Sequence, residues 1–131
     1  MGQKLMVILP DTDVLIDFFR GYKKAVKFIN ENESDIILSA IVVAELYAGV
    51  KGKKELSVLD NFISLFDVVP ITSEVAKAGG LFRHNFGKSH GVGLADALIA
   101  ATCVAKNAQL KTLNIKHYPM LAGLKSAYTK G

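Results

Sequence analysis

Short apolar runs alternate with longer stretches of helical spacing along this chain. Residues 4–9, 36–38, 67–69 and 109–112 have the length and character of buried strands. Between them lie segments whose apolar residues recur every three or four positions, and these predict helices over 13–19, 22–32, 40–50, 53–66, 73–86 and 94–104. In the second helix Val26 and Ile29, with Tyr22, are expected to face the core, leaving Lys23, Lys24 and Lys27 outside. The helix over 53–66 is expected to bury Leu56, Leu59, Phe62, Ile63 and Phe66. Ser39 and either Thr72 or Ser73 are suited to capping helix starts, and Gly21, Gly49 and Gly52 mark stops. Residues 87–93 read as a glycine-rich loop, and 124–128 as a further edge strand. Strands alternating with helices of this length predict an α/β fold with a parallel sheet of four to five strands and helices on both faces, a three-layer α/β/α domain spanning 1–131.

Three acids stand out against this pattern. Asp11 follows the first apolar run, so it lies at the carboxyl end of a strand, the edge where open parallel sheets bind their ligands. Glu45 has Ile41, Val42, Ala48 and Gly49 at helical offsets of three and four. Asp96 has Val92, Gly93, Ile99 and Ala100 at the same offsets. Carboxylates in apolar surroundings need a partner, and no internal cation is evident nearby, so the set points to a divalent-metal site. Each acid also has a plainer reading: Asp11 as a helix cap, Glu45 as a snorkelling side chain, Asp96 as an acid at a helix start. Asn114, just beyond the last strand, suits holding a metal-bound water or orienting a carboxylate, and equally a turn. Asp13 and Asp17 are read as helix-start and solvated acids rather than main ligands. An all-oxygen donor set favours Mg²⁺, with Mn²⁺ as a substitute, over zinc, and His84, His90 and His117 lack zinc-site spacing.

Composition narrows the picture modestly. The 131 residues include sixteen Lys and Arg against twelve Asp and Glu, half of the chain is hydrophobic, and there is one cysteine. That size and balance fit one globular domain, and the net charge of +4 suits a polyanionic partner. Lys51, Lys53, Lys54, Arg83, His84, Lys88 and Lys116 are placed on loops or helix ends, where they can reach phosphates. Cys103 cannot form an internal disulfide and reads as a small core residue. The chain's start lacks a secretory pattern and no apolar run is long enough for a membrane span, so the cytoplasm is the expected compartment.

Four segments together resemble the PIN-domain family, specifically the VapC-like ribonuclease toxins of type II toxin–antitoxin systems. They are Asp11-Thr12-Asp13-Val14-Leu15-Ile16; Ser39 with Ala44-Glu45-Leu46 and Gly49; Leu94 through Ala101 around Asp96; and Thr112-Leu113-Asn114 leading to Tyr118. The resemblance implies a Mg²⁺-dependent endoribonuclease that cuts tRNA, rRNA or mRNA to arrest translation. It implies Asp11, Glu45 and Asp96 as metal ligands, Asn114 as a further site residue, and Thr12 and Ser39 as supporting hydroxyls. It also implies a homodimer and a cognate VapB-like antitoxin that inserts a segment into the active-site groove. The family often has an acid where this chain has His117, which weakens the case for a second metal ion. A competing reading is a PIN-fold module that binds RNA or protein with weakened catalysis. A phospho-acceptor receiver domain fits poorly, because Ser39 and Pro70, not an aspartate, follow the middle strands.

Overall fold

The computed structural model describes residues 6–130. Its four strands are short and all pair in parallel: β1 (Ile8–Pro10) with β4 (Gln109–Lys111), and β2 (Ile37–Ser39) with β3 (Asp67–Val69). Among the described residues, one bridge between Ile8 and Ile36 joins the two pairs. The helices are α1 (Thr12–Phe19), α2 (Lys23–Asn32), α3 (Ala40–Ala48), α4 (Gly52–Ile63), α5 (Ser73–His90) and α6 (Leu94–Lys106). This is the parallel α/β arrangement expected from the alternation of runs. Lys4 and Leu5 of the first predicted strand lie outside the described residues.

The core sits where the strands meet the helices. Ile8, Leu9, Leu38 and Leu110 from the strands pack with Val14, Leu15, Ile29, Val42, Ile99 and Cys103 from the helices. Burial of such side chains stabilises the fold by roughly 1.5–3 kcal/mol each. Cys103 is the small core residue expected, and burial, with a contribution from the Asp11 charge, pushes its thiol up to about 12. Helices α5 and α6 approach closely because Gly79 carries no side chain: a Cβ there would fall 2.5 Å from Leu98 Cδ2 and 3.1 Å from its Cα. No described helix is long and apolar enough to cross a membrane.

The structure departs from the sequence expectations at several elements. Helix α5 runs on to His90, through the stretch read as a loop, and stops at Gly91, whose φ of +65° forms a left-handed cap. One glycine inside a helix costs only about 1 kcal/mol, and Lys88 and His90 complement the dipole of the last turn. Lys88 therefore lies in the last turn of a helix rather than on a loop, and Arg83 and His84 are exposed residues inside the helix rather than at its end. The edge strand over 124–128 is reduced to one bridge between Thr112 and Ser126. In α2 the buried residues are Ala25 and Ile29, with Val26 and Tyr22 only half-buried, while the three lysines point outward as expected. In α4 Leu59 and Phe62 are buried, Leu56 is exposed, and Phe66 lies beyond the helix end. Asp17 is buried rather than solvated.

Candidate metal centre

The loops after β1 and β4 meet side by side, because the Asp11 N–H continues the ladder by donating to the Lys111 carbonyl at 2.8 Å. β1 leads through α1 and α2 to β2 on one side, while β4 flanks it on the other. Asp11 and Thr112 thus occupy the point where the connections diverge, the crevice that open parallel sheets use for ligands. Asp11 is 7% exposed, and the helix cap that the sequence allowed is present. Its Oδ1 caps α1 by accepting from the Thr12 N–H at 2.8 Å. Its Oδ2 accepts from the Thr112 hydroxyl at 2.9 Å and from the Tyr118 hydroxyl at 2.8 Å.

Asp96 comes to the same place from the first turn of α6. The Tyr118 hydroxyl also lies 3.2 Å from Asp96 Oδ1, and His117 Nδ1 lies 3.4 Å from Asp96 Oδ2. Burial raises the Asp96 carboxyl above its ordinary range, the Asp11 charge adds to that, and Tyr118 and His117 pull the other way. Glu45 is reached through Thr12, whose hydroxyl donates to Glu45 Oε1 at 2.6 Å. Contrary to the sequence reading, Glu45 is exposed. Of its helical neighbours, Ile41 and Val42 turn toward the core, while Ala48 and Gly49 are too small to cover it and are exposed themselves. Ser39 is fully buried, and its hydroxyl oxygen caps α3 by accepting from the Ile41 N–H at 3.1 Å. Its recorded bond is that cap rather than a bond to an acid.

Three residues passed over at the sequence level complete the cluster. Asp13 accepts at one oxygen from the Leu113 N–H at 3.0 Å and the Asn114 side-chain amide at 2.9 Å, with the Thr112 hydroxyl at 3.4 Å. It therefore clamps the loop after β4 to the start of α1. Burial raises the Asp13 carboxyl and Asp11 adds to this, while the Leu113, Val14 and Thr112 bonds oppose it. Thr112 relays the same contact, since its hydroxyl also accepts from the Asn114 N–H at 3.0 Å. Tyr118 is the third. Asn114 thus orients a carboxylate, one of the roles its chemistry allowed.

Among the described residues, Lys130 forms an ion pair with Asp17, and the exposed His117 ring lies 3.4 Å from Asp96, a contact that is an ion pair only when the imidazole is protonated. Asp11, Asp13 and Glu45 are held by neutral hydroxyl and amide donors, so the site carries surplus negative charge. As placed, no three acidic or imidazole groups among the described residues form a ready-made metal cage. The donor set around Asp11 and Asp96 is nonetheless all carboxylate oxygen, and the Asp13 and Asp96 carboxyls, raised first by burial and then by the Asp11 charge, are ones that a hard dication would favour in ionised form.

Beside Glu45 a groove of about 680 Å³ opens between α1, α3 and α4. Ile16, Phe19 and Val58 give it an apolar wall, and Arg20, Lys51 and Lys54 add positive charge.

Comparison with known proteins places this geometry. Residues 8–118 match the PIN domain family. Ribonuclease VapC19 of Mycobacterium tuberculosis is 36% identical over 124 residues, which cover 92% of this chain and 98% of that protein. A toxin–antitoxin complex from Klebsiella pneumoniae contains a chain that superposes with a TM-score of 0.77 at 26% identity, covering 92% of this chain and 98% of that one. VapBC2 from Rickettsia felis, solved bound to a DNA fragment from its promoter, gives a TM-score of 0.75 at 26% identity, over 91% and 96% of the two chains. The chain belongs to the PIN-domain family and, within it, to the VapC group.

Proposed function

We propose that this chain is a metal-dependent endoribonuclease toxin that hydrolyses RNA phosphodiester bonds and is neutralised by a cognate VapB-like antitoxin. The observation that carries the reading is the meeting of Asp11 and Asp96 on one buried hydroxyl, with Glu45 tied to the same edge through Thr12. The relatives support it, being named ribonucleases, and the Klebsiella structure is a complex of toxin with antitoxin.

Asp11, Glu45 and Asp96 would hold the ion, Mg²⁺ by the hardness of their oxygens and Mn²⁺ as an alternative. When bound, it supplies a water of lowered pKa and stabilises charge on the phosphodiester. Glu45 is exposed and accepts from the Thr12 hydroxyl at one oxygen, so it would be accessible to the ion. Asp13 and Asn114 keep the loop after β4 in place, and Thr112 fixes one oxygen of Asp11. Exposed Lys51 and Lys54, which share a groove with Glu45, and the exposed Lys53 and Lys116 draw the phosphate backbone toward the acids. The mixed apolar and basic groove beside Glu45 suits an antitoxin segment that closes the site. Such a pair would work in the cytoplasm.

The test is cleavage of a pool of tRNA and rRNA by the purified chain, free of antitoxin, with Mg²⁺, Mn²⁺ or EDTA, beside Asp96→Asn. Discrete cuts that need the metal and vanish in the variant are expected. Absence of cutting by folded wild type would instead favour a binding module, with His117 in an acid's usual place as the first suspect.

A further inference from the structure

Tyr118 is 1% exposed, with its ring in the main core cluster and its hydroxyl among carboxylates. A phenylalanine would fill the same volume without burying a polar group, so the hydroxyl needs its own explanation. Its partners supply one. The oxygen lies 2.8 Å from Asp11 Oδ2 and 3.2 Å from Asp96 Oδ1, and it carries a single proton to serve both. The backbone holds it from two sides, the Tyr118 N–H donating to the Ile115 carbonyl at 3.0 Å and its own carbonyl accepting from Leu121 at 3.1 Å. Tyr118 therefore spans the start of α1 and the start of α6, between which no direct hydrogen bond is found at this point among the described residues.

The bridge is selective in which oxygens it takes. On Asp11 it shares Oδ2 with Thr112, leaving Oδ1 with only the Thr12 N–H. On Asp96 it takes Oδ1, leaving Oδ2 toward His117. We propose that Tyr118 is a positioning residue that holds one oxygen of Asp11 and one of Asp96 and so presents the other oxygen of each to a divalent cation. This rests on the reading of the acids as metal ligands. Residues that orient metal ligands from behind typically contribute ten- to a hundredfold in affinity, roughly, and Tyr118 is assigned the lower end because Thr112 also fixes Asp11.

The experiment is calorimetric titration of Mn²⁺ into the full chain, freed of any copurifying partner, for wild type, Tyr118→Phe and Asp96→Asn. Tyr118→Phe is expected to bind Mn²⁺ about tenfold more weakly. In cleavage assays it should need correspondingly more metal while approaching the wild-type rate at saturation. Equal Mn²⁺ affinity in Tyr118→Phe and wild type overturns the assignment, even if the variant melts earlier, because a purely structural hydroxyl would do only that. If wild type itself binds no Mn²⁺, the metal reading fails and the assignment with it, which distinguishes the two failures. Should Tyr118→Phe not fold, proton NMR of wild type decides: the Tyr118 hydroxyl proton is expected to stay protected from exchange when Mg²⁺ saturates the protein. Loss of that protection contradicts the proposal.

Discussion

Helix α1 carries buried acid at both ends of its length, and the two ends are solved in opposite ways. Toward its far end Asp17, 5% exposed, is bonded by the Lys130 ammonium at 2.8–2.9 Å and the Tyr128 hydroxyl at 2.7 Å. Burial pushes the Asp17 carboxyl up, but the Lys130 and Tyr128 bonds and the charges of Lys130 and Arg20 outweigh it, leaving it below its ordinary range. The surroundings are built for that pair: the Tyr128 ring stacks edge-on against Tyr22 at 5.8 Å, Lys130 sits over the Tyr22 face at 5.3 Å, and Lys24 bonds the Thr129 carbonyl. At the near end Asp11 and Asp13 have only hydroxyl and amide partners, and Asp13 and Asp96 lie above their ordinary range. A carboxylate matched by an internal cation contributes to the fold. A cluster left unmatched costs stability, a cost that the proposed divalent cation would offset.

The sharpest way to break this contrast is to neutralise one acid at each end. Asp96→Asn should reduce RNA cleavage by at least about a hundredfold, as expected for loss of a metal ligand. The same variant without metal should be as stable as wild type or more so, since its raised carboxyl is a cost at neutral pH that the amide removes. Asp17→Ala should do the reverse. It strands Tyr128 and Lys130 and should lower stability by about 2 kcal/mol in denaturant titrations, the upper part of the usual range being discounted because Lys130 is half exposed. Cleavage per folded molecule should hold. A smaller effect follows from pH. A carboxyl held below its ordinary value stabilises the fold above its unfolded pKa, about 4, and loses that contribution as pH falls through the folded value. The stability gap between wild type and Asp17→Asn should therefore be full at neutral pH and close below about pH 4. A gap that persisted into acid would mean that shape rather than charge holds this end.

The same contrast explains what was legible in the sequence. Elements set by local rules could be read: apolar runs gave the strands, Ser39 and Thr72 gave their caps, and Asp11 announced itself by following a buried run. Glu45 and Asp96 were found by their apolar neighbours, although for Glu45 that argument was physically mistaken, since small neighbours cannot bury a long side chain. The misses are contacts made across the chain. Asp13 had a sufficient local explanation as a helix-start acid, while its clamp to Leu113 and Asn114 spans about a hundred positions. Thr112 and Tyr118 meet Asp11 over similar separations, and no periodicity encodes such a meeting. Asp17 did leave a signal: it stands three residues after the buried Val14, on a face that turns inward. Its cation lies more than a hundred residues away, and only folding brings it there.

If the acids around Asp11 are kept for a divalent cation, thermal unfolding of wild type and Asp96→Asn with and without Mg²⁺ will register it. Mg²⁺ should raise the melting temperature of wild type and leave Asp96→Asn unmoved, while the metal-free variant melts at or above the metal-free wild type. A wild type indifferent to Mg²⁺, or a metal-free variant that melts well below it, would contradict the account.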